Sequence, residues 1–151
     1  MRPADVEEDE QGDPAAVAEA NARRKADAVP GDLVLGADTV VALDGVIYGK
    51  PRDAAQAREY LGVLNGRTHE VIGAIALAGR IEATAVEVSR VTFKASDDAT
   101  LDAYVATGEW EGRAGGYAIQ ERGGDLVERI EGDYLNVVGL PLERLKTLLK
   151  P

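Results

Sequence analysis

The chemistry available to this sequence is concentrated first in Gly36-Ala37-Asp38-Thr39-Val40-Val41. An acid beside a glycine, directly after a short apolar strand, is expected at the end of a sheet, where open α/β folds place their ligands. Asp38 there can ligate a hard cation or take a proton from water. It can equally be a turn aspartate bonded to its own backbone. Gly49-Lys50-Pro51 offers an ammonium on a chain that proline stiffens, aimed at a phosphate or simply exposed in a turn. Residues 112–120, Gly-Arg-Ala-Gly-Gly-Tyr-Ala-Ile-Gln, form a glycine-rich segment with one cation. Its glycines allow backbone N–H groups to approach an anion, and Gln120 carries an amide suited to a nucleobase edge. The spacing fits neither the Walker A nor the dinucleotide fingerprint. His69 opens an apolar run, where a histidine more often packs than reacts. Trp110 can stack on a base, with partial burial as the plainer account.

The elements that must position these residues follow from local signals. Asp13-Pro14 starts an Ala-rich helix that runs to about residue 29, where Pro30-Gly31 ends it. Residues 33–35 read as a short buried strand. Residues 40–43 and 46–48 flank Asp44-Gly45, a strong hairpin signal. Asp53 caps a helix over 54–64, closed by Asn65-Gly66. Residues 68–77 and 81–93 are the longest β-type runs, expected as a twisted antiparallel pair. Ser96 is expected to cap a third helix to about Thr107, with Asp97 and Asp98 favourable at its positive end. Residues 112–124 should be loop with a short strand, and 142–149 a last amphipathic helix opened by Pro141. Hairpins mixed with helices predict an α/β domain with a mixed, twisted sheet flanked by helices, occupying residues 1–151 as one unit.

The totals narrow the function. With no cysteine, disulfides and thiolate metal sites are excluded, and a single histidine excludes a His-rich zinc site. A net charge of −10 without a basic stripe argues against nucleic acid. The first residues, MRPADVEEDEQG, contain no apolar core of a leader, and no apolar run is long enough to span a bilayer. The absence of cysteine is compatible with the expected cytoplasmic location, and no membrane partner is expected. An anionic small molecule remains an acceptable ligand if lysines, arginines or a divalent cation hold it.

Five segments, taken in order, resemble the consecutive motifs of the Maf family of nucleoside triphosphate pyrophosphatases. They are Gly36-Ala37-Asp38-Thr39-Val40-Val41; Gly49-Lys50-Pro51; Leu64-Asn65-Gly66-Arg67-Thr68-His69-Glu70-Val71; Ala114-Gly115-Gly116-Tyr117-Ala118-Ile119-Gln120; and residues 130–142. The resemblance implies an architecture similar to inosine triphosphate pyrophosphatases. It also implies cleavage of dTTP or UTP to the monophosphate and pyrophosphate with Mg²⁺ or Mn²⁺. By the same resemblance Asp38 is the catalytic carboxylate and a metal ligand, and Glu8 a second metal ligand. Lys25 and Lys50 approach the phosphates, and Thr39 and Gln120 lie near the base. Arg113 stands where the family more commonly has lysine. The expected partners are the nucleotide and a second copy of the chain. Members of the family carry, ahead of the motifs found here, an apolar strand, a Ser-x-x-Arg-Arg loop that grips the triphosphate, and a helix. These are not among the 151 residues, so the expectation is a shortened Maf-like domain. Its alternative is an inactive short form or a non-enzymatic regulator of septum formation.

Overall fold

The computed structural model describes residues 12–150. Among these residues five strands form one sheet: β1 (Leu33–Leu43), β2 (Val46–Tyr48), β3 (Thr68–Gly79), β4 (Ala83–Phe93) and β5 (Val127–Glu131), in the order β2-β1-β3-β4-β5. Five helices accompany them: α1 (Pro14–Asp27), α2 (Ala54–Leu64), α3 (Asp98–Ala106), α4 (Tyr134–Val138) and α5 (Leu142–Leu149). The expected α/β architecture of a sheet flanked by helices is present. All four strand pairings among the described residues are antiparallel. Each strand-to-strand link there either turns back as a hairpin or reverses direction through helix and loop.

Burial divides cleanly by strand face because side chains alternate along a strand. On one face Val40 and Ala42 of β1, with Ile72, Ala74 and Ala76 of β3, meet Val17, Ala18, Ala22 and Ala26 of α1. On the other, Val41, Leu43, Val71, Val91 and Phe93 pack with Leu61 and Leu64 of α2, Leu101 of α3, and Tyr117 and Ile119 of the glycine-rich segment. With both faces covered, β3 is buried continuously from Val71 to Ala78, which is why its sequence reads as an apolar run rather than an alternation.

The expected caps at Asp13 and Asp53 are made: each carboxylate accepts from the backbone N–H three residues on, at 3.0 and 2.8 Å. The hairpin at Asp44-Gly45 forms with both residues at positive φ, 51° and 79°, as a two-residue turn between right-twisted strands requires. Three expectations are corrected. The strand placed at 33–35 continues to Leu43, so Asp38 lies in mid-strand rather than at a sheet end. Gly36 does not interrupt it, because β3 pairs with β1 throughout and α1 packs directly on the glycine. The third helix is capped by Asp97, whose carboxylate accepts from Thr100 N at 2.9 Å. Ser96 is engaged instead with the Asn65 side chain, through its own N–H and carbonyl. Within 112–124 the chain makes 3-10 turns, and the short strand comes only after them, as β5.

Candidate active site

Asp38 is placed by small residues before it is held by polar ones. A Cβ at Gly36 would run into the Ala22 carbonyl and sit 2.6 Å from Ala26 N, so only glycine lets α1 approach β1 this closely. Asp38 is two residues further along the same strand and therefore on the same face. Asn21 and Lys25, four apart on α1, share one helix face, and both reach its carboxylate. Asn21 Nδ2 donates to Oδ2 at 3.2 Å, and Lys25 Nζ donates to Oδ1 at 3.1 Å. Lys25 Nζ also donates to the Ala37 carbonyl at 3.2 Å. The Asp38 side chain is 3% exposed and that of Lys25 19%, so the pair is largely shielded from water and fixed in orientation.

The strand edge beside Asp38 is where a ligand can enter. β2 pairs with β1 only at Val41–Leu43, from Tyr48 back to Val46. A cleft borders this stretch, lined by Lys25, Ala37, Asp38, Thr39, Lys50, Arg113, Tyr117, Gln120, Glu121 and Val137–Gly139 among others. The structure thus brings Lys25, Asp38, Thr39, Lys50 and Gln120 to one place from four segments of the chain. Glu8, the remaining expected site residue, lies outside the described residues. Among the described residues, Lys25, Lys50 and Arg113 line the cleft together with Asp38 and Glu121, three cations with two carboxylates, Lys25 already paired with Asp38. In a chain of net charge −10, this is a local environment that favours a polyanion.

The glycine-rich segment does a different job from the one its composition suggests. Gly115 has φ 73°, and a Cβ there would sit 3.0 Å from Val41 Cγ1. Its N–H donates to the Gly49 carbonyl at 3.1 Å. This glycine therefore lets the segment pack against β1 and the chain before Lys50, which brings Arg113 and Gln120 to the cleft. His69 anchors the same segment from below. Its Nε2 and the Tyr117 hydroxyl are 2.6 Å apart, and the two rings and Phe93 contact one another edge-on. Burial pushes the His69 pKa down to about 4 and holds the Tyr117 phenol well above its usual range. Both are thus neutral near pH 7, in keeping with the packing role. Trp110 donates Nε1–H to the Val105 carbonyl at 3.1 Å and does not line the cleft.

Asn21, Glu121 and Tyr117 are cleft residues or partners that sequence reasoning did not single out. Asn21 alone left a usable signal, as a polar residue four before Lys25 on the Ala-rich face of α1. For a metal ion, no group of three or more histidine, cysteine or carboxylate side chains is assembled among the described residues. A small hard cation needs only one or two protein carboxylates when phosphate oxygens and water complete its shell. Asp38, bordering the cleft, fits coordination shared with a bound triphosphate rather than a closed protein cage.

The family model of Maf-like proteins matches residues 1–151. The chain is 51% identical over 134 residues to a dTTP/UTP pyrophosphatase of Anaeromyxobacter dehalogenans, covering 85% of this chain and 69% of that protein. It is 50% identical over 132 residues to one of Ruegeria sp., covering 85% and 68%. It is 42% identical over 149 residues to one of Pyrococcus furiosus, covering 94% and 78%. Matches of this extent and identity establish that the chain belongs to the Maf family.

Proposed function

We infer that this chain is a nucleoside triphosphate pyrophosphatase that hydrolyses dTTP and UTP to the monophosphate and pyrophosphate. The observation that carries the reading is the shielded Asp38 carboxylate, oriented by Asn21 and Lys25 at a cleft that also gathers Lys50, Arg113 and Gln120. The relatives named dTTP/UTP pyrophosphatase, about half identical over most of the chain, support it.

Each residue has a task that its position permits. Lys50 and Arg113 bind the triphosphate, the guanidinium gripping two oxygens at once. Lys25 bridges protein and phosphate, since its ammonium already fixes Asp38. Asp38 accepts the proton of the attacking water, or orients that water, from a carboxylate that cannot rotate away. Thr39 and Gln120 line the cleft and are assigned to the base, at whose pyrimidine edge the amide of Gln120 can donate and accept. Asp38 is also the described residue to hold Mg²⁺ or Mn²⁺. Such an ion supplies charge neutralisation of the phosphates and polarisation of the phosphorus.

The test is product analysis with each of the common triphosphates, with Mg²⁺ or Mn²⁺ and with excess chelator. The reading expects monophosphate and pyrophosphate, fastest from dTTP and UTP, and loss of turnover in chelator. Release of orthophosphate, or full rates in chelator, would overturn it.

A further inference from the structure

We propose that Asn136 is a positioning residue for this cleft: its buried carboxamide ties α4 to strands β3 and β4, and α4 supplies the wall formed by Val137, Val138 and Gly139. The proposal rests on the functional reading above, and deepens it. Asn136 is fully buried, at 0% exposure. Its Nδ2 lies 3.1 Å from each of three acceptors, the Val71 carbonyl of β3, the Glu87 carbonyl of β4 and Ser89 Oγ. A carboxamide is the side chain that presents two N–H bonds to carbonyls of two different strands at once. An aliphatic residue of the same size would leave those carbonyls without that partner in a dry interior.

The site has been cleared to admit this side chain. Gly73 lies beneath it, and a Cβ at that position would collide with Asn136 Oδ1, an oxygen that has no hydrogen-bond partner of its own. Gly73 pairs with Thr39 across the ladder, and Ala74 with Asp38. The carboxamide therefore sits over the part of the sheet that carries Thr39, on the face opposite the Asp38 side chain, and one of its acceptors, Val71, itself borders the cleft. Ser89 reinforces the anchor: its hydroxyl donates to the Asp133 carbonyl at 2.9 Å, and the Asp133 carboxylate caps α4 through Leu135 N at 2.9 Å. A helix of five residues cannot hold its own place. Among the described residues, these are the hydrogen bonds that tie α4 and its cap to the sheet, and so set where Val137, Val138 and Gly139 stand relative to Thr39.

The experiment compares Asn136→Ala, the milder Ser89→Ala, and Leu101→Ala, a core truncation on α3 that does not itself line the cleft. All are assayed well below their thermal midpoints. Two readouts are taken: KM and kcat for dTTP, and amide hydrogen exchange at residues 137–139. The expected result is a KM raised about tenfold in Asn136→Ala, within the roughly hundredfold that a misplacement of about 1 Å costs. Alongside it, exchange at 137–139 accelerates, with Ser89→Ala intermediate should Asn136→Ala fail to fold. Leu101→Ala should lose stability while keeping KM and the exchange of 137–139 near wild type. If the Asn136 or Ser89 variants change KM and local exchange no more than Leu101→Ala does, the proposal is overturned. If wild type turns over neither dTTP nor UTP, the functional reading fails separately, and the exchange comparison still decides whether Asn136 holds the wall.

Discussion

At the scale of single residues, Asn21 holds one oxygen of the Asp38 carboxylate and Lys25 the other, which fixes the direction in which that carboxylate can act. Asp38, Lys50 and Gln120 stood out by neighbouring glycines, proline and chemistry; Lys25 and Thr39 came only through family resemblance. None of these signals reveals that Asn21 and Lys25 share one carboxylate, because that contact spans 17 and 13 residues of chain. Lys25→Met is expected to remove the hydrogen bond and ion pair from Lys25 to Asp38 and to lower stability by about 1.5–3 kcal/mol, the worth of a hydrogen bond to a charged group. Denaturant midpoints of wild type and variant check this, and an unchanged midpoint would show that the pair adds nothing. Gln120→Ala is expected to alter base choice. Loss of one hydrogen bond of about 0.5–1.5 kcal/mol shifts the ratio of UTP to GTP turnover by about two- to tenfold. A ratio equal to wild type would remove Gln120 from base recognition.

At the scale of elements, the parts governed by local rules were legible and the parts governed by packing were not. Both aspartate caps, the Asp-Gly hairpin and the helix at 142–149 follow from signals within a few residues. The full length of β1 did not, because Gly36 and Asp38 are poor strand formers and are kept extended by a ladder with β3 and by α1 lying on the glycine. Asp97 displaced Ser96 as a cap because Asn65 had already engaged the backbone of Ser96. The Gly36 contact gives a direct test of how α1 serves the site. Gly36→Ala is expected to push α1 away from β1, with an overpacking cost of about 1–3 kcal/mol, and to carry Asn21 and Lys25 off Asp38. Turnover should therefore fall further than stability alone explains. A variant that unfolds earlier yet keeps its turnover at low temperature would show that α1 only supports the sheet.

At the scale of the whole molecule, an acidic chain is expected to bind an acidic substrate, and the cleft with its three cations is where that becomes possible. No helix among the described residues is long and apolar enough to cross a membrane. The buried His69 makes global stability depend on pH. Its pKa falls from 6.5 to about 4 on folding, so between those values the unfolded chain binds more protons, and stability declines as pH drops through that window. Acidifying from about pH 7 to about pH 5 should cost about 2 kcal/mol from this residue, or about 5 °C in thermal midpoint. His69→Gln should flatten that part of the profile, and an identical slope in the variant would contradict the assignment. The central claim, that Asp38 drives pyrophosphate release, is tested most directly on one preparation of wild type and one of Asp38→Asn. Pyrophosphate and dTMP formed from dTTP with Mg²⁺ are quantified, with the thermal midpoint recorded alongside. The account predicts equal amounts of the two products from wild type. For Asp38→Asn it predicts a folded protein with turnover reduced at least about a hundredfold, the lower end of general acid–base assistance. A folded Asp38→Asn with near-normal pyrophosphate release would contradict it.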